Sequence, residues 1–468
     1  MLIRLFMMTL LLLAGCNPFV PPKSDPPQLP ESYQQTTQQG IQLPDRWWEL
    51  FGDDQLNQLQ IEMLASNLDL RQTLYRLEQL EALRKTSAAS LWPSLSLNAS
   101  ASRDRTPAVT GSSIANSSRI SLAAGYELDL WNRLHDKEQA AELRAQASGK
   151  EAQTLLLSLT AQLTEAYFQA VEKRAQIELV RRQIKRNQQL LDTATDRYRG
   201  GLASADEIYS AQNSLITQQA RLPQLQTALT QSEQAITLLL GRFSGKKISD
   251  QSKLPEISAL TDMGLPATLL TNRPDIAAAF LQLQAADKEL AAALASRLPT
   301  VNLTASLGRS STQLASGDLE GAFWSLAASL AQPLFDGGRR QAEVDRQQAL
   351  RNEQAANMQQ SLLKAIQEVQ TALTADQNNA LRSQQLEQLR HVSGKTLQLE
   401  RDNYRSGLTS SSALLAAELQ HLSVISQQLS NQREWLSSRI SLARALGGQW
   451  MSAELTKQQQ ALTAAEDK

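Results

Sequence analysis

The chain has 468 residues, with 46 Lys plus Arg against 47 Asp plus Glu, a net charge of −1. That balance excludes the basic excess of a nucleic-acid binder. One cysteine and three dispersed histidines (His135, His391, His421) exclude an internal disulfide framework and a Cys- or His-built metal site.

The first segment is an address rather than part of a fold. Arg4 supplies a positive flank, and Leu5 to Leu13 form an apolar run too short to span a bilayer as a helix. The run ends in Leu13-Ala14-Gly15-Cys16, which resembles a lipoprotein lipobox. The resemblance implies cleavage after residue 15 and acylation of Cys16, with Asn17 directing the product to the outer membrane. A covalent lipid on Cys16 is the only attached group expected, and no cofactor is. Each buried CH₂ adds about 0.8 kcal/mol, so multiple acyl chains make a firm anchor. Residues 16–44 carry seven of the 15 prolines and read as an extended tether.

From there the chain is written twice at an offset of 206 residues. Asp69-Leu70 aligns with Asp275-Ile276, and Pro93 to Leu97 aligns with Pro299 to Leu303. Tyr198-Arg199-Gly200-Gly201-Leu202 aligns with Tyr404-Arg405-Ser406-Gly407-Leu408, and Leu240-Gly241 with Leu446-Gly447. Repeat 1 takes residues 45–242 and repeat 2 takes 271–449, joined by a connector over 243–270 and followed by a tail over 450–468. Each repeat reads helix, hairpin, long helix, tight turn, helix.

In repeat 1 a helix is expected over 54–91, stopped by Trp92-Pro93. Leu95, Leu97, Ala99 and Ala101 alternate with polar residues, the period of a strand with one apolar face. Residues 103–118, with Pro107 and Gly111, read as a loop. Ile120, Leu122, Ala124, Tyr126 and Leu128 then make a second strand, so the hairpin spans 94–130. In repeat 2 Val301, Leu303, Ala305 and Leu307 alternate likewise. A loop follows near 310–321, and Trp324, Leu326, Ala328 and Leu330 close a hairpin over 300–335.

Next the period changes. Leu156, Leu159, Leu163, Ala166, Ala170, Ile177, Val180 and Ile184 keep a seven-residue seam, as do Leu362, Ile366, Val369 and Leu373. Long helices are expected over 132–199 and 338–405, each roughly 100 Å at 1.5 Å per residue. Return helices are expected over 202–241 and 408–446, the first kinked at Pro223.

Strands of about 9–11 residues with one apolar face suit a membrane β-barrel, although a small soluble sandwich has the same pattern. Trp92, Trp131, Phe323, Trp324 and Phe335 at the strand ends match interfacial girdles. Four strands cannot close a barrel, and an open edge is forbidden in lipid. Chains in the bilayer must therefore associate. Two copies give eight strands around a filled interior, and three give twelve around a conduit.

These features, in order, resemble the TolC-type outer-membrane efflux channels, in the lipoprotein branch that serves RND pumps. The resemblance rests on Trp47-Trp48-Glu49-Leu50-Phe51, Asn67-Leu68-Asp69-Leu70 and Tyr126 to Trp131. It rests further on Gly264 to Ala267, Asn272-Arg273-Pro274-Asp275-Ile276 and Pro333 to Arg339. It implies a mainly α fold with a membrane β-barrel portion: a homotrimer with a 12-stranded barrel, continued by a 12-helix periplasmic α-barrel. A belt of residues 243–270, the tether and 450–468 would surround the helices. The implied function is passive export of small molecules, with a periplasmic adaptor and an inner-membrane RND transporter as partners, outer-membrane lipid as surroundings and no enzymatic step.

By the same resemblance the helix tips carry the gate. Gly201 and Gly407 suit the left-handed turn that ends a helix. Tyr404 and Glu207 match positions whose links hold family gates shut, Asp206 lies beside Glu207, and Arg405 is the candidate to replace the linking arginine. Asp206 and Glu207 equally suit the first turn of a helix, where acidic side chains complement the dipole. Ala413, Ala416 and Thr409 depart from the family pattern of an aspartate ring and a linking arginine. Two other functions share much of this pattern, a type I secretion duct for polypeptides and a pore-less coiled-coil lipoprotein.

Overall fold

In a computed structural model the described residues are 24, 46–108, 111–243, 251–257, 273–314, 317–447 and 450–466. The signal, Cys16, most of the tether and most of 243–270 lie outside them. The elements in chain order are a 3-10 turn (Trp47–Phe51), α1 (Asp54–Ser66), α2 (Leu68–Ala89), β1 (Ser94–Ala108), β2 (Gly111–Leu128), α3 (Arg133–Arg199) and α4 (Ala205–Leu239). Then follow α5 (Pro274–Ala295), β3 (Thr300–Leu314), β4 (Gly317–Ala331), α6 (Arg339–Arg405), α7 (Ser411–Leu446) and α8 (Trp450–Glu466).

The repeat is visible in the contacts as well as in the order. Asn67 Nδ2 donates to the Leu239 carbonyl at 2.8 Å, and Arg273 Nη1 donates to the Ala445 carbonyl at 3.2 Å, both 206 residues on. Asn132 and Gly338, each just before a long helix, share a positive φ (59° and 84°).

Two expectations need correction. The helix expected over 54–91 is two helices. Asn67 takes an extended conformation, and its Oδ1 accepts from Leu70 N at 2.9 Å, capping α2. Its amide is committed to Leu239, so the break is a packing contact as well as a cap. The loops expected over 103–118 and 310–321 are mostly strand. β1 and β2 have 15 and 18 residues, and β3 and β4 have 15 each. Apolar alternation stops where the chain turns polar, but the backbone ladder continues, since each N–H and C=O still needs a partner. The tail over 450–468 is helical from Trp450 to Glu466. Pro223 sits inside α4, which continues through it.

The chain divides into two compact units. Among the described residues, one takes 24, 75–149 and 277–360 apart from the two hairpin turns, and holds the sheet, in the order β1-β2-β3-β4, all antiparallel. Beside the sheet Lys288 Nζ pairs with Asp136 at 3.1 Å and Arg144 with Glu289 at 2.8 Å, fastening α5 to the start of α3.

Among the described residues, the other unit takes 46–74, 150–243, 251–257, 273–276, 361–447 and 450–466. Its core is Leu56, Met63, Leu156, Leu159, Leu163, Tyr167, Phe168, Ile236, Leu240 and neighbours, so the heptad seam of α3 is buried as its spacing requires. Rings in edge-on contact thread this core: Trp450 on Trp48 (5.2 Å), Trp48 on Trp47 (5.9 Å), Trp47 on Phe51 (6.2 Å) and Phe51 on Phe168 (5.0 Å). Asp53 caps α1 through Gln55 N and Leu56 N, and its other oxygen accepts from the Tyr167 hydroxyl at 2.8 Å. One carboxylate thus starts a helix and ties it to α3. No described helix is long and apolar enough to cross a membrane.

Candidate functional site

Two places carry functional geometry, the faces of the sheet and the helix tips. Strand period two and the antiparallel register sort every side chain onto one of two faces. Leu97 pairs with Leu122, Leu122 with Leu307, and Leu307 with Trp324. The same face carries Leu95, Ile120, Leu303, Leu326 and Leu330. The opposite face carries Ser96, Ser100, Ser121, Thr304, Ser306, Ser325 and Ser329.

The apolar face is not covered by the chain. Leu97 is 70% exposed, Leu326 74% and Trp324 78%. A contiguous apolar surface of this kind marks a partner or a membrane. On β2 it runs from Ile120 to Leu128, about 27 Å of strand. At a tilt of about 40° that is roughly 21 Å of height, close to the ~25 Å apolar band of membrane barrels. Beyond it the face turns charged, with Arg309, Glu320 and Asp318. Within the sheet β1 and β4 each pair with one neighbour only, leaving two long edges.

The expected aromatics divide. Trp92 and Phe335 flank the helix-linked end of the sheet and are exposed. Trp131, at the same end, is half-buried and donates Nε1–H to the Pro299 carbonyl at 2.7 Å, joining the exit of one hairpin to the entry of the other. Trp324 closes the apolar band at its far end. Phe323 does not belong with them. Adjacent to Trp324 in a strand, it points to the polar face, where the Arg119 guanidinium carbon lies 4.1 Å from its ring centroid.

The tips are built alike. Gly201 (φ 69°) and Gly407 (φ 73°) end the long helices in the left-handed conformation. Leu202 N donates to Arg197 O and Gly201 N to Tyr198 O. Leu408 N and Gly407 N repeat the pattern on Asn403 O and Tyr404 O. These are Schellman caps, which satisfy carbonyls otherwise left open. Leu202 and Leu408 emerge exposed beside them (73% and 79%). On the return side Ser410 Oγ accepts from Ala413 N at 3.3 Å, while Asp206 and Glu207 occupy the first turn of α4.

Among the described residues the gate candidates are not joined to one another. Tyr404 is met by Arg197, whose guanidinium carbon lies 5.0 Å from the ring centroid. Arg405 pairs with Asp402 at 3.8 Å on its own helix. One Glu207 oxygen is buried without a hydrogen-bond partner. Farther from the tips, Glu418 is 2% exposed, and one of its oxygens takes both Arg186 (3.3 Å) and Arg401 (3.2 Å), linking α7 to α3 and α6. Arg197, Arg186, Arg401 and Glu418 escape sequence reasoning because each partner comes from a different helix, with no fixed spacing to betray it.

The profile of the family described as "Outer membrane efflux protein" matches residues 60–242 and again 265–448, so it covers most of the chain and matches each repeat once. The chain belongs to the outer membrane efflux protein family. Among similar proteins, outer membrane protein OprJ of Pseudomonas aeruginosa is 30% identical over 86% of this chain and 86% of its own length. The pyoverdine export outer membrane protein OpmQ of Pseudomonas putida is 28% identical over 96% of this chain and 98% of its own. Among solved structures, the outer-membrane channel OprN superposes with a TM-score of 0.83 at 25% identity, covering 92% of this chain and 99% of that one. This efflux protein is therefore an outer-membrane component of an efflux pump, with a periplasmic extension, and its relatives are channels rather than enzymes.

Proposed function

We propose that this efflux protein works as a homotrimer, the passive exit duct of a tripartite system. Three four-stranded sheets join β1 of one chain to β4 of the next in a 12-stranded barrel whose apolar face meets the membrane. The long helices continue it as a 12-helix periplasmic tunnel. Acylated Cys16 anchors each chain in the outer membrane. The tips close the periplasmic end and meet an adaptor, which couples the duct to an inner-membrane RND transporter supplying the energy. The names of relatives, which include toluene efflux and pyoverdine export proteins, support small organic molecules as cargo.

One observation carries the reading: an open sheet whose apolar face and both edges are unsatisfied in the single chain. In lipid each unpaired backbone group costs several kcal/mol, so closure by sister chains is the arrangement that removes the edges. The test is the mass of the detergent-extracted protein by light scattering, with and without heating. A particle of three chains that falls to one on boiling is expected, and a detergent-free, water-soluble monomer overturns the proposal.

A further inference from the structure

The polar face of the sheet is uniform along most of its length. Its side chains are almost all Ser, Thr, Ala, Gly or Asn, which leave a smooth wall. Glu127 on this face is neutralised by Arg133 at 2.6 Å. Asp104, four register positions nearer the turn than the row of Arg119, accepts from Ser102 Oγ at 2.9 Å. Arg119 alone is an exposed cation here, and it forms no ion pair among the described residues.

Arg119 lies on β2 and Phe323 on β4, so the guanidinium reaches its ring by crossing β3. Gly308 of β3 makes the crossing possible. It sits between Ser121 and Phe323 in the register, on the same face. The strands run so close there that a Cβ on Gly308 would stand 2.3 Å from the Ile120 carbonyl oxygen and 2.8 Å from Ser121. With no side chain in the way, Arg119 stacks on Phe323, and Phe323 is the one β4 residue that is not exposed. The cation–π stack fixes a charge that would otherwise sweep freely.

We propose that Arg119 on Phe323 forms a cationic collar on the channel wall, at the outer edge of the apolar band, that favours passage of anionic solutes. The proposal rests on the trimeric barrel reading, which turns the polar face inward and sets three such pairs in a ring. Rings of Arg or Lys are how pores favour anions, and low-dielectric walls focus their field.

The full-length protein is reconstituted in planar bilayers under a KCl gradient, and the reversal potential gives the chloride-to-potassium permeability ratio. Arg119→Ala should lower that ratio at least about threefold, the effect of a change of roughly half a kT in lumen potential, which acts on the two ions in opposite senses. Arg119→Glu should lower it further, and Phe323→Leu should fall between Arg119→Ala and the unaltered protein. Arg309→Ala, on the opposite face, should leave it unchanged. Arg119→Cys adds a probe that does not depend on charge reversal, because Cys16 is the only native cysteine and acylation blocks it. A membrane-impermeant sulfonate thiol reagent should then alter conductance in place. A conducting protein whose ratio is unmoved by both Arg119→Ala and Arg119→Glu, or whose Arg119→Cys variant ignores the reagent, overturns the collar. A protein that passes no current even when Tyr404→Phe with Arg405→Ser frees the tips overturns the channel reading instead.

Discussion

The two compact units solve opposite problems. In the helical unit the large side chains are hidden by the chain itself: Phe168, Tyr167, Leu156 and Leu163 are all at most 1% exposed. In the sheet Leu97, Leu326 and Trp324 are at least 70% exposed. Both segments have the right periodicity, about 3.5 in one and two in the other, so pattern alone does not decide burial. The difference is what each pattern was selected to meet. The helical seam meets other segments of the same chain, whereas in the proposed trimer the sheet meets hydrocarbon and sister chains.

Substitutions of similar size in the two units should therefore fail in different ways. The largest effect is expected at Phe168, whose ring contacts Phe51 (5.0 Å) and Tyr167 (5.5 Å). Phe168→Ala should cost about 3–5 kcal/mol, seen as a lower helix-unfolding temperature by circular dichroism whether or not chains have associated. Loss that appears only in the assembled protein would break the comparison. Next comes the sheet, where neighbouring positions serve as each other's control. Leu326→Arg, on the apolar face, should cost about 2–4 kcal/mol near the bilayer midplane, while Ser325→Arg should stay within about 0.5 kcal/mol. The readout is the temperature at which the detergent-resistant oligomer dissociates. Equal shifts for the two variants would show that the apolar face does not meet lipid.

What can be read from the sequence follows the same division. The bounds of both long helices are local signals, since neither segment contains proline and each ends at a left-handed glycine. Strand ends are not local. The apolar alternation reports only the height of the exposed apolar band, and beyond Ile120 and Leu307 the ladder continues in polar residues. Grouping Phe323 with Trp324 ignores a rule the sequence does show, that strand neighbours face opposite ways. Arg119 and Phe323 stand 204 positions apart, and only the register of three strands brings them together. Glu418 is hidden for a similar reason: Arg186 and Arg401 reach it from helices whose phase no single segment specifies. Acylation of Cys16 rests on the lipobox alone, a signal addressed to an enzyme rather than to the fold.

The smallest expected effect sharpens the comparison through pH. His421 on α7 packs against Gly394 of α6 and shares a 2.9 Å hydrogen bond between its Nδ1 and Ser393 Oγ. Burial of the ring, then the nearby Arg390 and Arg401, hold its pKa below the ordinary 6.5. The charged imidazolium is thus disfavoured in the folded protein relative to the unfolded one. The stabilisation is fully present above about pH 6.5 and is lost as pH falls through the depressed folded value. Lowering pH from about 7.5 to about 5 should reduce the melting temperature of the helices, and His421→Gln should flatten that slope while leaving the value at about pH 7.5 nearly unchanged. The sheet contains no histidine, so dissociation of the proposed trimer should ignore the substitution at both pH values. A variant that keeps the full pH slope would move the titrating group elsewhere. A variant that alters dissociation of the proposed trimer would show that the effect of His421 is not confined to the helices.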